Sequence, residues 1–467
     1  MKLRKEDIVE VWVDRMAYGG QGVARMDGLV IFVKGAVPGD RVLARIIKKK
    51  KDYADADLIE VIAPSLDRVK APCPYNGFCG GCNYQHMEYP RQLEFKKDHI
   101  RDSMTRIGAM PDVLIHDVIP SDRIFGYRNK MEFSFSDRRW QMPGEFIKGE
   151  NVDEFGLGLH VPGVFYKVID MEGCLLQDDT GNRIMRAIKE FVRTSGAPVY
   201  GLKSHEGLWR FLTLRRSVAY DQWLVNVVTS EDRRDMLMSL ADSLNREFNN
   251  IRTVVNNITA KKAAISFGER EVVLSGEGCI KDRIGPYAFQ VSANSFFQTN
   301  TSGALKLYEK VAEYAELSGT ETVLDLYSGT GTIPIFLSVM AKEIIGMEIV
   351  ESAVSDAVRN CMENHIDNCS FILGDIREKL TGLRKRPDVL VIDPPRAGMH
   401  KDVTAKIMEM GVKKVVYVSC NPATMARDIS GMQERYEVVE IQPVDMFPHT
   451  YHIESVAKME LKKGLLA

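Results

Sequence analysis

TVLDLYSGTGT, residues 322–332, is the stretch on which the fold turns. A short apolar run closes on Gly329 and Gly331, where backbone can approach a ligand at the start of a helix. Four similar runs follow at helix-length intervals: KEIIGMEIV (342–350), CSFILGD (369–375), PDVLVIDPP (387–395) and KKVVYVSC (413–420). Short apolar strands alternating with helices predict a mostly parallel, doubly wound α/β sheet. VVEIQPVDMF (438–447) and ESVAKMEL (454–461) predict a closing strand pair.

Upstream the rhythm differs. Residues 1–62 alternate short strand patterns with glycine turns: VEVWV, GGQGVARM, LVIFVKG, DRVLARIIKKK and DADLIEVI. That spacing predicts a small OB-like β-barrel. APSLDRVKAPCP (63–74) reads as a linker. Residues 63–285 mix strands such as KMEFSF and QWLVNVVTS with helices near 180–195 and 231–247, which predicts a central α+β domain. The doubly wound domain then occupies 286–467. A chain of 467 residues suits about three such units.

The composition is that of a globular protein, with 45% hydrophobic and 27% charged residues. No apolar run approaches the roughly 18 residues needed to span a bilayer, and MKLRKEDIVEVW has no secretion signal, so the expectation is a cytoplasmic monomer. Eight cysteines are too few for a disulfide scaffold in a chain of this length, and their clustering points to metal binding or reactivity in a reducing compartment. The net charge of −2 does not advertise nucleic acid. Locally, however, Lys48–Lys51 form a basic run. Arg123, Arg128, Lys130, Arg138 and Arg139 also interleave with Phe125, Tyr127, Phe133, Phe135 and Trp140. That mixture suits either RNA contact or a solvated, salt-bridged surface.

Ligands of open parallel sheets lie beyond the carboxyl ends of the strands. There Gly329 offers close backbone approach, Glu348 has the spacing of an acid that binds ribose hydroxyls, and Asp375 can meet an adenine amine. NAD is the rival ligand. Pro334 replaces the third glycine of the dinucleotide fingerprint and no phosphate-binding lysine follows, so S-adenosylmethionine fits better. Asp393 precedes two prolines in a stiff loop that could hold a planar group, or could simply cap a rigid turn. Cys420 ends the fifth strand on the same edge, before an Asn-Pro turn.

A methyltransferase needs a thiol when the acceptor is carbon 5 of a pyrimidine, which is not a nucleophile on its own. Addition of a thiolate at carbon 6 makes carbon 5 nucleophilic, and a base must later remove the carbon 5 proton. Glu454 in FPHTYHIESV is the candidate base and His452 its rival. Elsewhere Cys73, Cys79 and Cys82, with Cys174 as a fourth ligand, suit an iron–sulfur cluster or zinc. Cys279, Cys361 and Cys369 read as small apolar residues.

FFQTN (296–300), DLYSGTGT, DPPRAG, YVSCNPATMARD and FPHTYHIESV occur in this order, and with them the chain resembles the RNA 5-methyluridine methyltransferases. The resemblance implies a TRAM domain in the barrel, Cys420 as nucleophile and Glu454 as base. It also implies an S-adenosylmethionine pocket lined by Gln298, Tyr327, Glu348, Asp375 and Asp393, the last also near the uracil. Thr332 departs from the Asn often found in relatives. A four-iron, four-sulfur cluster on Cys73, Cys79, Cys82 and Cys174 is implied as well, with 23S ribosomal RNA as substrate ahead of transfer RNA. Two other classes remain open: a non-catalytic RNA-binding factor, and an amino-methyltransferase that would leave Cys420 and Glu454 idle.

Overall fold

The computed structural model describes residues 3–145, 153–263, 265–383 and 385–464. Strands Ile8–Met16, Gln21–Met26, Leu29–Lys34, Arg41–Lys49 and Tyr53–Ala63 form a closed barrel. Alternation sorts its residues: Val11, Val13, Ala24, Ile31, Val33, Val42, Ala44 and Ile46 point inward, and the residues between them face out. Ile8–Met16 pairs antiparallel with Arg41–Lys49 to close the ring, so no edge is left unpaired.

The barrel is pinned to the segment beyond its last strand. The Asp40 side chain, with no exposed surface, pairs with Arg68 at 2.6 Å and accepts the Val37 and Ser65 N–H groups. Met16 and Val37 of the barrel join Tyr84, Met87 and Phe95 in a small apolar seam, with Tyr451 packed against it.

The middle of the chain builds an eight-stranded sheet around Gln222–Thr229, Trp209–Ser217 and Lys130–Ser136, with helices Asp179–Thr194 and Arg234–Glu247 packed on it. Here the interleaved basic and aromatic residues receive a different explanation from RNA stacking. Phe133 and Phe135 are 1% and 2% exposed, Tyr127 is buried, and Lys130 pairs with Glu132. Interleaving in this stretch is the period-two pattern of a half-buried strand.

The second eight-stranded sheet runs Cys369–Leu373, Glu343–Glu348, Thr322–Leu326, Val389–Ile392, Lys414–Ser419, Glu454–Leu461, Tyr436–Val444 and Leu114–Ile115. The first five are parallel, and the Glu454–Leu461 strand returns antiparallel. Chain order reverses between Thr322–Leu326 and Val389–Ile392, which opens a crevice at their carboxyl ends. Leu114–Ile115 and helix Tyr89–Arg106 come from far upstream, yet Ile100 and Met104 of that helix share a core with Met425 and Ile429. No described helix is long and apolar enough to cross a membrane.

Candidate active site

Along the crevice, Tyr327, Gly329 and Gly331 all have positive φ, at 67°, 54° and 77°. Gly331 has a packing reason: a Cβ there would lie 2.9 Å from Ala357 and Phe371. A Cβ on Gly329 would meet nothing within 4 Å, because this backbone faces the open crevice. The buried Glu348 carboxylate accepts the N–H groups of Gly329 at 3.0 Å, Ile349 at 2.8 Å and Val350 at 2.9 Å, which fixes its orientation at the strand end. Gln298 is half-buried, its carbonyl held by the Asn129 side chain at 2.8 Å. Thr332 bonds Tyr308 at 3.0 Å. Asp375 is placed differently from the rest. It caps the short helix Ile376–Lys379 and pairs with Arg377, which holds its carboxyl down to about 2.

Asp325, inside the first strand, escaped the sequence reading. It is 1% exposed and neither carboxylate oxygen has a hydrogen-bond partner. Burial, then the charges of Asp393 and Glu348, push its pKa well above the usual range. The only sequence signal was an acid in the middle of an apolar strand. An orphaned buried carboxylate beside a glycine loop and an oriented acid fits a nucleoside ligand that carries a cationic amine, as S-adenosylmethionine does.

Cys420 follows strand Lys414–Ser419, and the turn after it is fixed from several sides. Asn421 caps helix Pro422–Ser430 through the Ala423 N–H at 3.1 Å and donates to the Arg396 carbonyl at 3.1 Å. Arg427 donates to Ala397 O at 2.9 Å, and Asp428 accepts the Met399 N–H at 2.7 Å and the Tyr417 hydroxyl at 2.7 Å. The Asp393 loop is thereby bolted to the turn that presents Cys420. Glu454, 6% exposed, opens the neighbouring strand opposite Val444.

These groups act on one another electrostatically. Burial, followed by the charges of Glu454 and Asp393, pushes the Cys420 thiol up to about 12, and Arg396 opposes them. Burial and then Asp393 raise Glu454 well above the ordinary range. Burial alone takes Asp393 to about 6. Two carboxyls and a thiol thus raise one another at this sheet edge, and the exposed Arg396 guanidinium opposes them. Burial, Arg396, Lys96 and Arg128 hold His452 down to about 4, so its ring is neutral.

The loop that carries Glu454 is held by a buried polar network. Lys96 and Asp445, both with no exposed side-chain surface, pair at 2.6 Å. Lys96 also donates to Phe447 O at 3.0 Å, and the Tyr89 hydroxyl to Asp445 at 2.9 Å. His449, at φ 64°, receives the Asn83 and Tyr84 N–H groups on its carbonyl. Lys96→Met strands the Asp445 charge, so a loss of about 3–5 kcal/mol is expected, seen as a lower melting temperature. A Lys96→Met/Asp445→Leu double variant should recover most of it. A single variant that melts like wild type would show the pair to be dispensable.

Cys73, Cys79, Cys82 and Cys174 line one cavity of ≈ 440 Å³ together with Arg128 and His160. Among the described residues, no three His, Cys, Asp or Glu side chains converge as ligands of a single metal ion. The metal site expected at these cysteines is therefore not displayed as a ligand set, because the thiols stand around the cavity instead of closing on one point. Burial, then neighbouring groups that include the other thiols, raise Cys79 to about 11 and Cys82 to about 12. Four cysteines spread around a cavity of this size suit a bulky, multi-atom core better than one zinc ion.

A doubly wound sheet with this crevice and donor set defines an S-adenosylmethionine-dependent methyltransferase. The profile of the tRNA (Uracil-5-)-methyltransferase family matches residues 217–462, and that of the TRAM domain residues 4–59. An RNA methyltransferase of Chlorobaculum tepidum is 39% identical over 98% of both chains, and one of Bacteroides thetaiotaomicron is 38% identical over 96% of this chain and all of its own. Among solved structures, the Pyrococcus abyssi tRNA (uracil-54, C5)-methyltransferase in complex with S-adenosyl-L-homocysteine superposes with a TM-score of 0.77. It is 30% identical and covers 97% of this chain and 100% of its own. The chain belongs to the uracil-5 RNA methyltransferase family, with an N-terminal TRAM domain.

Proposed function

We propose that this protein methylates carbon 5 of uridine in 23S ribosomal RNA through a covalent bond between Cys420 and carbon 6. The observation that carries this reading is the sheet edge where strands pair Ser419 with Ser455, which sets Cys420 beside the buried Glu454, and where Asn421 bonds the loop after Asp393. The Cys420 sulfur adds to carbon 6, and the ring electrons move to carbon 5, which takes the methyl group. Glu454 then accepts the carbon 5 proton, the double bond re-forms and the carbon–sulfur bond breaks to return the thiolate. Arg396 stabilises the thiolate, and Asp393 faces the uracil. Glu454 is preferred to His452 because its strand pairs with the one that ends at Cys420, Ser455 lying opposite Ser419.

S-adenosylmethionine, when bound, supplies an electrophilic methyl group on a sulfonium. Glu348 would hold its ribose hydroxyls and Asp325 its amine. Gly329, Tyr327, Gln298 and Asp393 would line the remainder of the pocket, and Asp375 would reach the adenine only by releasing Arg377. Residues 1–62 bind RNA, 63–285 form the central unit except for helix Tyr89–Arg106 and strand Leu114–Ile115, which join the catalytic unit of 286–467, in a cytoplasmic monomer.

Cys73, Cys79, Cys82 and Cys174 would hold a four-iron cluster, a structural element with no part in methyl transfer. Protein purified without oxygen is expected to contain about four iron and four sulfide per chain, and Cys82→Ser to lose both. One zinc per chain and no sulfide would overturn this.

Transfer RNA is the second reading, favoured by the name of the Pyrococcus abyssi enzyme. Mapping 5-methyluridine in ribosomal and transfer RNA from cells lacking the protein decides between them. Loss at a 23S position supports the first reading, and loss confined to transfer RNA supports the second. Unchanged 5-methyluridine in both would overturn the uridine assignment.

A further inference from the structure

The first turn of the barrel packs against Tyr451, on the segment that leads into the Glu454 strand. Ala17, Tyr18, Gly19 and Gly20 join strands Ile8–Met16 and Gln21–Met26, closed by Gly20 N–H to Ala17 O at 3.0 Å. Gly19, at φ 108°, takes the third position of the turn, where a positive φ favours glycine, and this leaves Tyr18 at the tip. Gly20 fixes the seat of the turn: a Cβ there would lie 2.7 Å from the Asn83 Cβ. Asn83 and Tyr84 both donate to His449 O, so the barrel turn and the Glu454 loop are tied to one short segment.

The Tyr18 ring is oriented but not covered. It stands T-shaped to Tyr451 at 5.0 Å and 76°, and to His99 at 5.7 Å and 87°, yet it remains 45% exposed. Tyr451 in turn lies 4.2 Å from the His452 ring, two residues before Glu454. The apolar seam between barrel and body is complete without Tyr18, since Met16, Val37, Tyr84, Met87 and Phe95 form it. Through Tyr451 and His452 the phenol is joined by ring contacts to the segment that enters the Glu454 strand. A surface tyrosine that only filled the seam would be buried by it. One held on two sides and left half-exposed presents an aromatic surface beside the segment that carries Glu454.

We propose that Tyr18 contacts the substrate: resting on the uridine chemistry proposed for Cys420, its ring packs against the extruded uracil and holds it in line with the thiol. Aromatic rings serve this purpose because stacking is strong, while an extruded base has lost its stacking partners. The barrel would then complete the target site as well as binding RNA beyond it.

The test compares wild type, Tyr18→Leu and Tyr18→Phe on in-vitro transcripts of 23S ribosomal RNA and of transfer RNA, using whichever the wild type methylates. Tyr18→Leu is expected to raise KM for RNA about tenfold and to slow adduct formation on the 5-fluorouridine transcript by a similar factor. Its S-adenosylmethionine affinity and melting temperature should match wild type, and Tyr18→Phe should stay within about threefold of wild type throughout. Wild-type behaviour of Tyr18→Leu would overturn the assignment, as would a fall in melting temperature that accounts for the loss. A Tyr18→Phe variant as impaired as Tyr18→Leu would overturn the packing role of the ring. If the wild type methylates neither transcript, the uridine reading and this assignment fail together. An active wild type with an unaffected leucine variant refutes this assignment alone.

Discussion

Cys420→Ala is expected to abolish methyl transfer to RNA, a fall of about 10⁴-fold or more, with S-adenosylmethionine still bound. Carbon 5 of uracil has no other route to becoming a nucleophile, so the loss should be in turnover and not in RNA affinity. The wild type is expected to form a denaturant-resistant complex with 5-fluorouridine RNA, where fluorine replaces the proton that release requires, and the variant none. The pH dependence comes from the thiol. Burial and two neighbouring carboxyls raise it to about 12, so thiolate is the minor form throughout the working range. The adduct rate should therefore rise with pH, about tenfold per unit from roughly pH 7 to 9. Arg396→Leu removes the one charge that lowers this pKa, so it should slow adduct formation at every pH. Methyl transfer surviving in Cys420→Ala would remove the nucleophile assignment, and a flat pH profile would remove the account of the thiol.

Glu454→Gln should separate the two halves of the reaction. The amide cannot accept the carbon 5 proton, so methyl transfer proceeds once and the product stays bound to Cys420. Steady-state turnover is expected to fall about 10³-fold, within the range for loss of a general base. At the same time an RNA–protein complex should accumulate on ordinary, unfluorinated RNA. His452→Gln should turn over without accumulating it. The opposite pattern, with the complex appearing in His452→Gln and not in Glu454→Gln, would transfer the role of base to the histidine.

The parallel strands were legible because strands covered on both faces must be apolar throughout, and the barrel because its strands are covered on one face and alternate. Glycines, acids and a cysteine at successive strand ends then marked the crevice. Helix Tyr89–Arg106 was hidden for the opposite reason. Its buried face carries Gln92, Lys96 and His99, so the polar network that holds the Glu454 loop erases the apolar periodicity that announces a helix. Asp325 was hidden inside a strand whose apolar neighbours set the pattern. The basic and aromatic interleaving around Phe133 was visible but ambiguous, since strand alternation and an RNA-stacking surface write the same letters. The two-residue strand Leu114–Ile115 is too short to carry a pattern at all.

The pairing of Lys96 with Asp445 spans 349 positions of the chain, and that of Gln92 with His449 spans 357. Contacts of such separation close late, because the chain between them must first be made and ordered. During synthesis the barrel and the central sheet emerge before residues 445–454. The thiol's own strand can assemble with its parallel neighbours before then, but the loop that leads to Glu454 is held by a helix from far upstream. Maturation is therefore ordered in time: the strand that ends at Cys420 can be in place before the loop that carries Glu454.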